Sequence, residues 1–166
     1  MKTFSNIHTG KTIVRQAPKE REISFDGQMI IVEMDASKTI TFTNKKFREM
    51  VGYEREELIG TPFAISHHPD VPMMMCEQAF YTASQGKIWA GYIKSITQSG
   101  EYFWSSICVQ PKFDLDKNII GFIINQKKAD KEAVSGVQSE YSKLKLNGLT
   151  EFKSEYCGEL HLLQNR

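Results

Sequence analysis

The chain has 166 residues, 40% of them apolar and 25% charged, with 21 Lys and Arg set against 20 Asp and Glu. Those values describe one globular domain with short extensions, and intermixed charge summing to +1 excludes the basic stripe of a nucleic-acid binder. The apolar runs fall far short of the ~20 residues a spanning helix needs, and MKTFSNIHTGKTIV lacks a signal-peptide core. A cytoplasmic protein is expected, with any membrane dealings left to a partner. Cys76, Cys108 and Cys157 stand far apart with no C-x-x-C pair, which suits a reducing compartment and gives no metal-ligand spacing.

In chain order, residues 1–22 are mixed and polar, Pro18–Glu22 reads as a solvated lead-in or linker, and order is expected to begin near Ile23. Met29–Met34 is a short apolar run, Asp35–Lys38 a turn, and Thr39–Thr43 alternates with period two, which predicts a β-hairpin. Asn44 stands at a helix N-cap position, Phe47, Met50 and Val51 follow at helical spacing, and Gly52 closes the turn. A second short helix over Glu54–Ile59 ends at Gly60 with Pro62 beyond. Asp70 is read as the N-cap of a third helix that tolerates Pro72 in its first turn and runs to Gly86.

From Ile88 the period becomes two, predicting strands over Ile88–Thr97, Glu101–Phe113 and Asn118–Lys127, the first pair joined by a tight turn at Ser99-Gly100. After Ala129, Val134, Val137, Tyr141 and Leu144 recur on one helical face. Residues 147–166 stay ambiguous; Leu160, Leu162 and Leu163 either dock or fray. The predicted order is two strands, a cluster of short helices and three antiparallel strands. That is an α+β fold with a five-stranded antiparallel sheet, short helices on one face and a C-terminal amphipathic helix. The helical cover is small for such a sheet and leaves room for a ligand beneath it. Three regions result: an N-terminal extension (1–22), a domain (23–129), and a C-terminal helix and tail (130–166).

The segment from Ser66 to Trp104 is the most informative. It reads S-HHPD-VP, a methionine-rich helix, K-IWAGYIK and QSG-EYFWSS. Together with N-KKFREMVGYEREELIGTPF and GFIIN, these motifs resemble a PAS domain over about Glu22–Ala129. HPDVP directly before the helix makes the chain similar to the flavin-binding PAS domain of Aer-type energy-taxis (aerotaxis) receptors.

That resemblance implies an FAD-binding redox sensor and no enzyme. It also implies the stand-alone sensor half of a bipartite energy-taxis system, signalling to a separate membrane-bound methyl-accepting chemotaxis transducer; a homodimer is left open. His68 and Asp70 match the family's flavin-binding set. Asn44 matches a motif asparagine, with plain helix capping as the alternative. His67 stands where the receptors carry arginine, replacing a permanent cation with a group mostly neutral near pH 7. Gln126 falls where photosensory flavin domains place an amide facing the flavin N5, and Ser95 and Ser105 replace their asparagines with a shorter donor. AISHHPDV stands in place of their reactive-cysteine motif, so photochemistry is not expected.

From the residues alone, Trp89 either stacks on a flat ligand or anchors the sheet core, with Gly91 keeping space clear on the same face. Phe103 and Trp104 point to opposite faces, and Trp104 is either a docking surface or covered by the C-terminal helix. In the leading reading, reduction of a bound flavin rearranges hydrogen bonds at Gln126, and the last strand carries the change into the helix beyond. Two rivals are a haem-binding gas sensor using His67 or His68 as axial ligand and a ligand-free PAS adaptor working through protein contacts.

Overall fold

The architecture is taken from a computed structural model of the chain, which describes residues 1–147 and 153–160. Strands β3 (Ile30–Asp35) and β4 (Ile40–Thr43) form the first predicted hairpin. Helices α1 (Lys45–Val51) and α2 (Arg55–Leu58), a 3-10 turn (Phe63–Ser66) and α3 (Met73–Ser84) follow. The long strands are β5 (Trp89–Ile96), β6 (Tyr102–Phe113) and β7 (Ile119–Lys128), and α4 spans Lys131–Asn147.

The sheet is antiparallel in the order β4-β3-β7-β6-β5-β8. It therefore has six strands where five were expected. The sixth is the two-residue β8 (Gly158–Glu159), which extends the β5 edge opposite Trp89 and Ala90. Two residues of unexceptional composition carry no periodicity, so only the pairing reveals them. Leu160 continues this docking through its amide, 2.9 Å from the Ile88 carbonyl; Leu162 and Leu163 lie outside the described residues.

The larger correction lies at the N-terminus. Order begins well before Ile23, although Pro18–Glu22 is solvent-exposed as expected. β1 (Lys2–Ser5) and β2 (Thr12–Arg15) pair as a separate hairpin with Phe4 and Ile13 buried. The Asn6 amide anchors it by donating to the carbonyls of Glu56, Glu57 and Ile59 at 2.8–3.1 Å. The chain then runs beside the β5–β6 turn, where Gln16, Lys19 and Ile23 donate to Gln98, Gly100 and Tyr102. Gly100, at φ +93°, turns that hairpin and leaves no space for a side chain: a Cβ there would come within 2.1 Å of the Ala17 carbonyl oxygen.

Local rules explain the remaining elements. The Asn44 side chain accepts from the Phe47 amide, and Gly52 closes α1 in the left-handed region. Phe47 and Val51 are fully buried, so one short apolar face holds α1 onto the core. Helix α3 begins later than predicted: Pro72, not Asp70, occupies the N-cap position. The buried face of α4 is the expected one, with Val137, Tyr141 and Leu144 turned inward. Its start is capped by Asp130, whose Oδ1 accepts from the Ala133 amide.

Candidate functional site

Strand alternation decides which side chains look inward. The register pairs Trp89 with Val109, Gly91 with Ile107 and Ile93 with Ser105 across β5 and β6. Across β6 and β7 it pairs Val109 with Ile124 and Ile107 with Gln126. All of these share one face. Because the helical cover is thin, the face encloses a cavity of about 720 Å³, within the ~300–1,000 Å³ typical of cofactor sites.

The sheet contributes Trp89, Ile93, Ile107, Val109 and Ile124 to its wall. The segment from Pro62 to Phe80 lies opposite and contributes the 3-10 turn, His67, Asp70, Met75, Cys76 and Phe80 among others. Ser37 and Lys38 enter from the β3–β4 turn, Leu144 from α4, and Lys2 and Arg15 from the N-terminal hairpin. The wall is mainly apolar, with cations at one end.

Of the residues singled out in the sequence, Trp89, His67 and Asp70 line this cavity. Trp89 is 1% exposed and its indole N–H donates to Gln78 Oε1 at 3.0 Å, which fixes the ring plane. Gly91 does not hold space for a ligand. A Cβ there would lie 2.6 Å from Trp89 Cη2 and 2.7 Å from Cys157 Sγ, so the indole itself and the docked C-terminal segment use the room.

His67 reaches β5 through an isolated bridge to Ser95. Its Nε2 lies 3.3 Å from the Val71 carbonyl and its Nδ1 3.2 Å from Cys76 Sγ. Burial pushes the Cys76 thiol up to about 12, so it keeps its proton and donates to Nδ1. Nε2 then carries the imidazole hydrogen and donates to Val71. Burial also lowers the His67 pKa, which makes this neutral tautomer self-consistent. Asp70 Oδ2 accepts from Lys94 Nζ at 2.9 Å.

The other five sit elsewhere. His68 is 3% exposed and off the cavity wall; its Nδ1 accepts from the Asp70 amide at 3.0 Å, and its ring meets Tyr102 edge-on. Desolvation, then Lys94, holds its pKa down to about 4. Asn44 spends both ends of its amide on the Phe47 cap and the Met29 carbonyl. Ser95 is buried opposite Phe103. Ser105 and Gln126 lie on the inner face just past the cavity floor, at 0% and 1% exposure. Among the described residues, the Ser105 hydroxyl and both polar ends of the Gln126 amide have no hydrogen-bond partner. Each such buried group costs about 1–3 kcal/mol, so this spot is built for a polar partner. An aromatic ligand with polar edges seated against Trp89, its rim reaching Gln126, fits that requirement.

A profile of the PAS domain family matches residues 27–127. The chain belongs to the PAS domain family. Among curated proteins it is similar to the Aerotaxis receptor of Escherichia coli strain K12, at 27% identity over 119 residues. That match takes in 72% of this chain and 23% of the receptor, so the chain spans less than a quarter of that relative's length. Among solved structures, the PAS domain of a Colwellia psychrerythraea protein superposes with a TM-score of 0.57 at 21% identity, over 62% of this chain and 87% of that one. A light-oxygen-voltage domain studied with a flavin analogue superposes at 0.56 with 15% identity, over 75% of this chain and 90% of the other. These neighbours share the α+β PAS fold.

Several wall residues of this PAS domain carry no sequence signal. Arg15 and Lys2 come from the mixed, polar segment before Ile23, and Lys38 from a turn. Leu144 reads as an ordinary helix-face position. The Trp104 alternative resolves: its ring stacks on Tyr141 of α4 at 5.9 Å, so the helix covers it. No described helix is long and apolar enough to cross a membrane.

Proposed function

We propose that this PAS domain is a flavin-binding redox sensor, holding FAD and signalling to a separate membrane-bound chemotaxis transducer in energy taxis. The observation that carries the reading is the unpartnered, fully buried Gln126 amide beside an apolar cavity walled by Trp89. An apolar ligand would leave that amide unsatisfied. A flavin edge, which offers both donors and acceptors, answers both ends of it. The likeness to an aerotaxis receptor supports the class of signal, and the fold shared with a domain probed by a flavin analogue supports the class of ligand.

A bound flavin supplies reversible uptake of electrons and protons. The chain's residues do the rest. Trp89, pinned by Gln78, presents a flat surface; Ile107, Val109 and Ile124 exclude water; Gln126 can rotate its amide to offer either nitrogen or oxygen. A change there is passed along β7, which leads within three residues into α4. Because α4 lies against Trp104 and β5, a shift in its seating alters the outer surface offered to a partner. No catalytic turnover is needed.

The visible spectrum of the purified protein, reconstituted with FAD if necessary, tests the reading. A two-band flavin spectrum bleached by dithionite, together with redox-dependent co-purification of a methyl-accepting transducer, is expected. A Soret band, or a colourless protein that takes up no flavin, overturns it.

A further inference from the structure

We infer that the N-terminal hairpin forms an anion site at the end of this cavity, in which Arg15, with Lys2 and Lys38, holds the phosphate end of the ligand. The inference deepens the flavin reading and rests on it for the identity of the ligand. It begins with Arg15, which is 3% exposed and lines the cavity. Its Nη1 donates to the carbonyls of Ile65, His67 and Ala64 at 2.9, 3.2 and 3.3 Å. Its Nε is buried without an acceptor. Among the described residues no carboxylate lies within ion-pair distance of this guanidinium.

Carbonyl dipoles offset only part of the cost of burying a full charge. Lys2 and Lys38 line the same cavity and are solvent-exposed. Their ammonium groups lie over the Phe4 and Phe80 rings, at 5.5 and 4.5 Å, and neither has a carboxylate partner among the described residues. Asp70 and Glu77 are the acidic residues in the wall. Asp70 is paired to Lys94, which lies outside the lining, so three cations face one remaining carboxylate, Glu77, in the wall.

Arg15 thus brings a permanent cation from 52 residues earlier directly onto the His67 carbonyl. Guanidinium and ammonium groups around a water-poor cavity are a phosphate-binding set. A flavin nucleotide brings a phosphate on a flexible chain leading away from its ring. With the ring at Trp89, the phosphate can reach the hairpin end.

The test compares riboflavin, FMN and FAD, measured by titration calorimetry, in the wild-type chain and in Arg15→Met and Lys38→Met. Inorganic pyrophosphate in a thermal-shift assay is the flavin-free probe. Wild type should bind FMN and FAD at least roughly tenfold more tightly than riboflavin. Arg15→Met should erase that preference while riboflavin affinity stays within about twofold, and exposed Lys38→Met should reduce it without a folding cost. Pyrophosphate should raise the wild-type Tm and leave Arg15→Met unmoved. Equal losses for all three flavins, or no preference for the phosphorylated ones, would make Arg15 a purely structural contact and overturn the site. Pyrophosphate protection without any flavin uptake would sink the flavin reading and leave the anion site standing.

Discussion

The Tyr141 hydroxyl donates to the Tyr92 backbone carbonyl at 2.9 Å and lies 3.0 Å from Met75 Sδ, tying α4 at once to β5 and to the helix over the cavity. Burial pushes the Tyr141 pKa upward, so the hydroxyl stays a donor at every physiological pH. Tyr141→Phe keeps the stack on Trp104 and removes only the bond. A loss of about 1–2 kcal/mol is expected, with faster amide exchange in α4 and unchanged exchange in β6 and β7. Uniform acceleration across the sheet would show that the bond supports the whole domain instead.

Gln126→Leu should act with opposite signs in two states. Without ligand, replacing two unpartnered buried polar ends by an apolar side chain of similar size should stabilise the protein by about 1–2 kcal/mol in urea unfolding. With flavin, the same variant should bind more weakly and show a shifted absorption maximum. Destabilisation of the free variant would mean the amide already has a partner.

Gly91→Ala places a methyl against Trp89 Cη2 and Cys157 Sγ. Something must move, at a cost of about 1–3 kcal/mol. The Cys157 segment is the easier part to displace, since among the described residues two-residue β8 is its only strand pairing. Ellman's reagent should then react faster with Cys157 than in the wild type, where it is 6% exposed. An unchanged rate would show that the indole yields first.

Stability should fall with acid between pH 6.5 and 4. The folded His68 pKa, about 4, lies below the ordinary 6.5, and that of His67 is lowered as well. The unfolded chain therefore takes up protons first, and the contribution present above pH 6.5 is lost as pH falls toward 4. His68 alone accounts for roughly 2 kcal/mol between pH 8 and 5. The depressed carboxylates Asp26 and Asp114 act only below that window. Denaturant melts at pH 7.5 and 5 should differ by this amount, and His68→Gln should flatten the profile. A wild type equally stable at both pH values would show that the imidazole finds a new partner when charged.

The strands, the Asn44 cap, the Gly52 and Gly100 turns and the inward face of α4 were legible because each follows from a repeat or a cap spanning a few residues. So was Trp89 as a wall of a pocket, once two-fold alternation placed it beside Ile93. Those signals are local, and the chain obeys them locally. Asp70 misled because capping depends on one dihedral choice: with Pro72 taking the N-cap position, its carboxylate went to Lys94, 24 residues away.

The order of elements from β3 to α4 and their inward faces, then, are properties of the sequence by itself, and they suffice for an α+β PAS domain. Which groups meet at the cavity was decided only in three dimensions. Arg15 meets His67 across 52 positions and Cys157 fills the space above Gly91. Such contacts arise when two segments bury surface against the same sheet edge, and no repeat within either segment records the other.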